Sequence, residues 1–266
     1  RYTAACTWFE MITGQNVVGN PYAPETIDSQ VVKIAQNAAH YAVQKPDEVT
    51  DMVNFKEPEI AGTDLKAPVY IDFGPTSLSA TPWNNITSHQ ESSTSSWIKD
   101  AENNYTNIGV RVLGGFTATH AGVGSEPASP VTVDGVEFPL TAWKDGLLVG
   151  GEKNKGDVGP GRIEISQLDA SRKYNFMILA IRFNGSKDAR ISSYKLAGKT
   201  ESEVKKVKTG IKDVAAFNAA KFEEYIAKFE NIEPDSEGKV IVEVKGIDTG
   251  LAAEGHINAL CISPVK

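Results

Sequence analysis

The strongest constraint on the fold is a series of short segments, from Pro68 towards the C-terminus, in which apolar residues alternate with polar ones or run together. Clusters of Gly, Asn, Asp and Pro separate these segments, as turns separate strands in β-proteins. Many short strands without regular helices between them predict an all-β sandwich. The predicted strands cover residues 69–73, 107–113, 161–165, 173–181, 192–196, 239–244 and 258–262.

The N-terminal residues follow a different, helical pattern. Apolar residues recur at helical spacing between Tyr2 and Ile12, and Gly14 follows as a C-cap. A second apolar stripe predicts a helix over 28–44, and Pro46 stops it. Because the sequence opens within a helix, without an initiator Met, we expect it to be a piece of a longer protein.

This change of pattern divides the chain into three parts. Residues 1–51 form the helical part, residues 52–65 form a charged linker, and residues 66–266 form the sandwich. A length of 266 residues accommodates one large or two small domains. One further short helix is predicted over 211–222, inserted between strands.

Composition argues against two classes of partner. The formal net charge is −7, and Lys and Arg are spread along the chain rather than gathered in a stripe. Without a basic stripe to neutralise phosphates, we expect no nucleic-acid partner. No run of 18 or more apolar residues occurs, so we expect no membrane-spanning segment.

The two cysteines, Cys6 and Cys261, lie at opposite ends of the chain among apolar neighbours. This setting favours two buried free thiols, although the sequence leaves a disulfide between them open. Two cysteines without a His at ligand spacing cannot build a structural zinc site.

The N-terminal residues also resemble a known family. The resemblance rests on the run RYTAACTWFE at 1–10, on Gly14, on the Pro24-Glu25 region and on residues 38–50. These residues resemble the C-terminal end of a bacterial SGNH (GDSL-like) hydrolase family common in gut Bacteroidetes. The resemblance implies a secreted, periplasmic or cell-surface protein of a Gram-negative bacterium. It also places an Asp-x-x-His motif just upstream of Arg1 and a nucleophilic Ser further upstream.

This chain contains no part of that catalytic set. Gly-Asp-Ser is absent, and its nearest match, at 156–158, lacks the hydroxyl. None of His40, His89, His120 and His256 has an Asp three residues before it, and no Gly-x-Ser-x-Gly elbow occurs. We therefore predict no catalytic residue here, and for His40 a solvated or capping role on the second helix.

The sandwich part carries a second resemblance. It rests on residues 69–74 (VYIDFG), 82–87 (PWNNIT), 163–176 and 234–240. These residues are similar to a jelly-roll, galactose-binding-like module often found with secreted Bacteroidetes esterases and glycosidases. The resemblance implies a mainly β fold, a jelly-roll-like β-sandwich preceded by the two-helix segment. It says little about the ligand, because jelly rolls host many functions.

Aromatic residues suggest a first ligand site in the sandwich. Sugar binding uses flat aromatic faces for the apolar side of a pyranose and polar groups for its hydroxyls. Trp83, with Asn84 beside it in a predicted turn, and Trp143, in a Gly-containing stretch, are candidates because loops concentrate function. The alternative is that each Trp closes one end of the sandwich; Trp97 is expected in the core.

A second candidate ligand site follows the apolar strand at 173–181. Arg182, Asp188 and Arg190 could converge there and offer bidentate donors to hydroxyls or carboxylates. The alternative is a structural Arg–Asp pair that holds the loop.

A structural calcium ion is also left open, because many jelly-roll modules carry one. Asp100, Asn103 and Asn104 offer oxygen ligands close together in sequence, but without the spacing of a calcium loop. No other cofactor is predicted.

Three functions compete at this point. The favoured one is a non-catalytic, carbohydrate-binding accessory module of a secreted SGNH-type esterase, with a glycan or polysaccharide as partner. The second is the back half of an active carbohydrate esterase whose Ser and Asp-x-x-His lie upstream. The third is a purely structural sandwich that packs against a missing hydrolase domain or mediates assembly.

Overall fold

The structure is a computed structural model of the 266 residues, and it divides into two compact units, Arg1–Ala61 and Gly62–Lys266. The predicted linker, 52–65, lies outside the described residues except for Leu65. The residues described are 1–24, 27–49, 65–91, 94–95, 98–120, 130–151, 156–183, 190–211, 219–250 and 253–265.

The first unit contains the two predicted helices, α1 (Tyr2–Thr13) and α2 (Ser29–Gln44). Gly14 ends α1 in the left-handed conformation, with φ 67°, and its N–H donates to the carbonyl of Glu10 at 2.9 Å. A residue with a side chain is strained at this φ, so glycine suits the position. Both helix predictions are confirmed.

Apolar packing and polar side-chain contacts hold the two helices together. Cys6 of α1 and Ala39 of α2 are buried in the same apolar cluster. Glu10 reaches from α1 to His40 on α2, with Oε1 2.6 Å from Nδ1, and its Oε2 accepts the Val17 N–H at 3.0 Å. His40 therefore lies on the predicted helix and acts there as an inter-helix contact rather than as a solvated side chain.

The second unit is built of strands, including one over each of the seven predicted segments. Its short helix α3 is Thr141–Lys144, and a 3₁₀ helix spans Ala219–Tyr225. The strands are β1 (Val69–Phe73), β2 (Trp83–Ile86), β3 (Thr94–Ser95), β4 (Gly109–Gly114), β5 (Ala118–His120), β6 (Val131–Val133), β7 (Val136–Phe138), β8 (Gly146–Gly150), β9 (Val158–Ser166), β10 (Tyr174–Leu179), β11 (Arg182–Phe183), β12 (Ile191–Ala197), β13 (Lys205–Lys208), β14 (Gly210–Ile211), β15 (Ile226–Ile232), β16 (Val240–Ile247), β17 (Glu254–Ile257) and β18 (Ala259–Pro264).

Two large sheets form the sandwich. The five-stranded sheet has the order β15-β10-β18-β1-β2, and the six-stranded sheet has the order β13-β12-β16-β9-β4-β3. Neighbouring strands are antiparallel except β1 with β2. Smaller pairings are β17-β8-β5, β11-β14 and β6-β7. The predicted fold class, a mainly β sandwich preceded by a short two-helix segment, is confirmed.

The main core lies between the inner faces of the two large sheets. Ile71 and Phe176 enter it from the five-stranded sheet, and Ile163, Tyr194 and Val242 enter it from the six-stranded sheet; all five are fully buried. Side chains of a strand point alternately to its two faces, so every second residue reaches this core. The hydrophobic effect of this burial is the main favourable term for the sandwich.

A third layer covers the outer face of the five-stranded sheet. Met177, Leu179 and Cys261 point away from the main core and pack against a second apolar cluster. That cluster is completed by residues of the β6–β7 hairpin, of α3 and of the 3₁₀ helix, among them Phe138 and Phe222. The five-stranded sheet is therefore buried on both faces.

Two smaller predictions, the inserted helix and the state of the cysteines, have different outcomes. Over the predicted helix 211–222, residues 219–225 form the 3₁₀ helix, Ile211 belongs to strand β14, and 212–218 lie outside the described residues. The two cysteines are free and buried, as predicted, rather than joined in a disulfide. Burial raises the pKa of both thiols, which keeps them protonated at neutral pH.

Candidate functional site

The outer face of the six-stranded sheet is polar, in contrast to the covered face of its partner sheet. Along β16, Val242 and Val244 point into the core, whereas Glu243 and Lys245 point outward. The same alternation on the neighbouring strands gives a charged surface. We call this surface the open face.

A groove of about 330 Å³ crosses the open face over β12, β13 and β16. This volume lies at the lower end of the range for small-molecule sites, roughly 300–1,000 Å³. The lining includes two apolar side chains at its edges, Val204 and Ile247, and the buried hydroxyl-bearing Ser193. The complete lining is Asp157, Ser193, Tyr194, Lys195, Val204, Lys206, Glu243, Lys245 and Ile247.

Two ion pairs organise charges at the groove. The Nε of Arg162 on β9 lies 2.9 Å from Glu243 Oε1 on β16, its partner in register. The Nζ of Lys195 lies 2.6 Å from Glu201 Oε2. Such partly exposed pairs add little stability, on the order of 0–1 kcal/mol, and they set opposite charges beside one another at the surface.

Two further lysines flank Ser193 on its neighbouring strands. Ser193 is opposite Lys206 on β13 and opposite Lys245 on β16. Both lysines are exposed, and within the part of the chain that the structure describes neither Nζ makes an ion pair or a hydrogen bond. The groove therefore has two available ammonium groups on either side of a hydroxyl.

Trp83 lies elsewhere, and the prediction that it presents an open ring from a turn is wrong. It belongs to β2, is 8% exposed, and its ring packs 5.2 Å from Tyr70 and 5.8 Å from Phe138, centre to centre. Asn84 turns its amide to the backbone: it donates to the Tyr70 and Lys99 carbonyls, both at 2.9 Å, and accepts the Lys99 N–H at 2.8 Å. Both side chains are occupied within the fold.

The corresponding prediction for Trp143 is also wrong. Trp143 lies in α3 and is 1% exposed, with ring centres 6.2 Å from Phe183 and 5.4 Å from Phe222. The third layer covers the ring, so the structural alternative describes this residue. Trp97, predicted in the core, lies outside the described residues.

Arg182 and Arg190 do converge, but on a residue that the sequence did not single out. Arg182 Nη1 lies 2.9 Å and Arg190 Nη2 lies 2.6 Å from the same oxygen, Oε2 of Glu254. Arg190 and Glu254 are each 1% exposed. Asp188, the third predicted member, lies outside the described residues. This arrangement is a buried ion cluster rather than an accessible ligand site.

Two histidines complete the ion cluster. His256 is fully buried, with Nε2 3.5 Å from Glu254 Oε2, and its ring meets that of His120 edge-on with 5.0 Å between centres. Burial, helped by the nearby arginine charges, lowers the pKa of His256 to about 4, so the ring is neutral at neutral pH. Burial alone would raise the pKa of Glu254, but the His256 hydrogen bond and the charges of Arg182 and Arg190 lower it to about 2.

A second buried polar centre surrounds Asp72 and Asp145, both 0% exposed. Asp145 Oδ2 accepts the Thr76 N–H at 2.6 Å, and Asp72 Oδ2 accepts the Ser79 N–H at 3.0 Å. Burial, and then the charge of Asp145, raises the pKa of Asp72 to about 7. A Cβ at Gly74 would lie 2.3 Å from Asp145 Cγ, so glycine is needed where this loop passes the carboxylate.

Comparison with known proteins yields one partial family match. Residues 1–42 match a family described as a domain of unknown function (DUF4886). The match covers a small part of the chain and names no activity. No curated protein matches the chain.

Several solved structures are distantly similar. TmCBM61 in complex with β-1,4-galactotriose is 13% identical, with 46% of this chain and 72% of that chain covered and a TM-score of 0.28. Two Arabidopsis thaliana structures, the ANX2 ectodomain and the ANXUR1 extracellular domain, are each 9% identical over 75% of this chain, with TM-scores of 0.42 and 0.39. This chain covers about half of each of them, 49% and 48%. At these TM-scores the likeness carries no argument about function.

The calcium candidates serve a turn. Asp100 Oδ1 accepts the N–H groups of Glu102 at 3.0 Å and Asn104 at 2.9 Å, and Asn103 has a left-handed φ of 68°. Among the described residues no three His, Cys, Asp or Glu side chains are grouped to hold a metal ion. The residues present thus fit a self-contained turn better than an ion site.

Sequence reasoning missed the groove and the ion cluster for the same reason. Glu254 contacts Arg182 from 72 positions away, and Lys206 and Lys245 flank Ser193 only because three strands are neighbours. The alternation within β16 was a usable signal, because it marked Glu243 and Lys245 as an outward row. No helix among the described residues combines the length and hydropathy needed to cross a membrane.

Proposed function

We propose that the second unit binds carbohydrate without catalysis, through the groove on the open face. The observation that carries this proposal is the groove itself, which places hydroxyl, carboxylate and ammonium groups beside two apolar side chains, with the Arg162 guanidinium paired to the lining residue Glu243. Sugar hydroxyls need directional hydrogen-bond partners, and pyranose C–H groups need apolar contacts. Glu243 and Arg162, fixed by their 2.9 Å pair, supply a planar acceptor and a planar donor.

The partners of the groove carboxylates support binding over hydrolysis. Glu243 is engaged by Arg162, and Asp157 Oδ1 accepts the Asp248 N–H at 2.9 Å. A glycosidase requires one carboxyl that stays protonated near neutral pH, usually through burial away from positive charge. Glu243 is instead ion-paired with Arg162 at the groove lining, which suits an acceptor for sugar hydroxyls.

The test is a comparison of two chemically identical substitutions. Glu243→Gln changes the groove, and Glu230→Gln makes the same change at an exposed position of β15 in the other large sheet. Affinity electrophoresis in galactan, polygalacturonan and xylan gels identifies a retained polysaccharide, and calorimetry with its oligosaccharides measures Kd. We expect Glu243→Gln to weaken binding about tenfold, because hydrogen bonds to a charged group contribute about 1.5–3 kcal/mol. Glu230→Gln should bind like the wild type.

Two results would count against this proposal. One is the absence of retardation and of heat with every polysaccharide tested. The other is equal binding by the two variants, which would place the sugar away from the groove.

We further propose that this module acts beside an SGNH-type ester hydrolase, outside the cytoplasm. The support is the resemblance of residues 1–51 to the end of such an enzyme; the matched family, over 1–42, has no described activity. The catalytic Ser and Asp-x-x-His would then lie outside these 266 residues. Purification of the native protein from its source cells tests this. A species larger than 28.7 kDa that hydrolyses acetyl esters supports the proposal, and a larger species without a Gly-Asp-Ser peptide contradicts it.

A further inference from the structure

We infer that the groove selects glycans that carry negative charge, with Lys206 and Lys245 as the two contacts to the anionic group of one sugar residue. This inference rests on the proposed carbohydrate binding and names the class of its ligand. The anionic group is a uronate carboxylate or a sulfate ester, which share the chemistry that two ammonium groups recognise.

The strand register brings the two lysines to one spot. Ser193 lies directly between Lys206 and Lys245, on the central one of three adjacent strands. Adjacent strands are about 4.8 Å apart, so the two lysine Cα atoms are roughly 10 Å apart across the sheet. Flexible side chains of this length can both reach an anion bound above Ser193.

The floor of the groove suits an oxyanion. Ser193 is 4% exposed, and its side chain lies on the open face because Ser192 and Tyr194 point to the opposite side of β12. Its hydroxyl can donate to an oxygen of the bound group while each ammonium approaches from one side. A carboxylate and a sulfate both present two or more oxygens to such a set of donors.

The surrounding charges leave a positive surplus. Glu243 is compensated by Arg162, and Lys195 is compensated by Glu201. The remaining charges of the lining are positive at Lys206 and Lys245 and negative at Asp157. A local excess of positive charge in a chain whose net charge is −7 marks this groove as different from the average surface.

The experiment compares a charged and a neutral form of one ligand. The probes are a galacturonate trimer, the same trimer with its carboxyl groups reduced to alcohols, and a sulfated galactose trimer. Calorimetry with the full chain measures Kd for the wild type, for Lys206→Ala with Lys245→Ala, and for Lys205→Ala. Lys205 is the matched control, because it is exposed on the same strand but leaves it on the opposite side from Lys206.

We expect the wild type to bind the galacturonate or the sulfated trimer about tenfold more tightly than the reduced trimer. The double variant should lose this preference, because each surface charge contact contributes about 0.2–1 kcal/mol, or up to roughly fivefold in Kd. Lys205→Ala should retain the preference. A second test needs no variant and measures Kd of the wild type at two ionic strengths. Raising ionic strength from about 0.01 M to about 0.15 M shortens the Debye length from ~30 Å to ~8 Å. Binding of the charged trimer should weaken, and binding of the reduced trimer should not.

The outcomes separate the two proposals. Equal binding of charged and reduced trimers by the wild type overturns charge selection and leaves carbohydrate binding standing. Retention of the preference by the double variant overturns the assignment of Lys206 and Lys245. If none of the three trimers binds, charge selection is wrong, and so is the binding of these sugars in the groove. If either charged trimer binds more tightly than the reduced trimer, charge selection is supported, and the tighter of the two charged trimers identifies the anion that the groove accepts.

Discussion

The two large sheets of this sandwich share one core but differ in what their second faces contact. Burial along β10 and β18 is nearly continuous, because the third layer packs on the outer face of the five-stranded sheet. Burial along β16 alternates, because the outer face of the six-stranded sheet is open. A sheet covered on both sides has no surface left for a ligand. Among the described residues, the six-stranded sheet therefore leaves more of its outer face accessible to a ligand than the five-stranded sheet does.

Aromatic and charged residues are distributed between the sheets accordingly. Trp83 and Trp143 belong to the covered face, where their rings contribute buried apolar area. Glu243, Lys206 and Lys245 belong to the open face, where their charges stay hydrated. Trp83 and Trp143 thus contribute to stability, and the proposed ligand chemistry lies on the polar strands.

Truncation of Trp143 should cause the largest loss of stability on the covered face. Trp143→Ala removes the ring that contacts Phe183 and Phe222, and it should lower the free energy of unfolding by about 3–5 kcal/mol. Urea denaturation followed by circular dichroism measures the loss. A fully stable variant that fails to bind glycan would contradict this prediction and would indicate that Trp143 contacts the glycan.

Removal of the buried carboxylate of the ion cluster should be comparably harmful. Glu254→Gln deletes the negative charge that Arg182 and Arg190 both contact at 1% exposure. Breaking a buried ion pair from one side costs about 3–5 kcal/mol. Thermal unfolding at neutral pH measures the effect. A loss below about 1 kcal/mol would show that water or neighbouring groups compensate the arginines in solution.

Asp72 should make stability depend on pH. Its pKa, raised to about 7 in the folded state from an ordinary 3.8, means that the folded protein retains a proton that the unfolded chain releases. Stability therefore falls as pH rises from about 4 to about 7, and Asp72→Asn removes this fall. The variant should gain on the order of 2–4 kcal/mol relative to wild type between pH 4 and pH 8. A stability difference that does not change with pH would contradict the raised pKa.

The same Glu→Gln substitution on the open face should have the smallest effect. Glu201 is 68% exposed and pairs with Lys195 at 2.6 Å. Glu201→Gln should change the free energy of unfolding by less than about 1 kcal/mol, because exposed ion pairs are hydrated and screened. Chemical denaturation of Glu201→Gln and Glu254→Gln under the same conditions compares their free energies of unfolding. Equal losses for the two variants would mean that burial does not distinguish the two sites.

The sequence by itself determined the class of fold, the two N-terminal helices and seven of the strands. Helical spacing and Gly14 located α1, and alternation between turn clusters located strands such as β1, β12 and β16, because these signals depend on neighbours within a few residues. The apolar segment at 173–181 also indicated a strand, which the structure has as β10.

The tertiary structure alone decided which polar and aromatic residues meet. Trp143 lies in a stretch whose composition resembles a loop, and residues distant in sequence, Phe183 and Phe222, pack against its ring. Arg182 meets Glu254, and Lys206 meets Lys245 across Ser193, through strand order rather than sequence distance. Local patterns report how each segment is built. Contacts between distant segments depend on which faces of the sheets are buried. Burial of a face depends on how all the elements pack together, so no single segment of sequence specifies it.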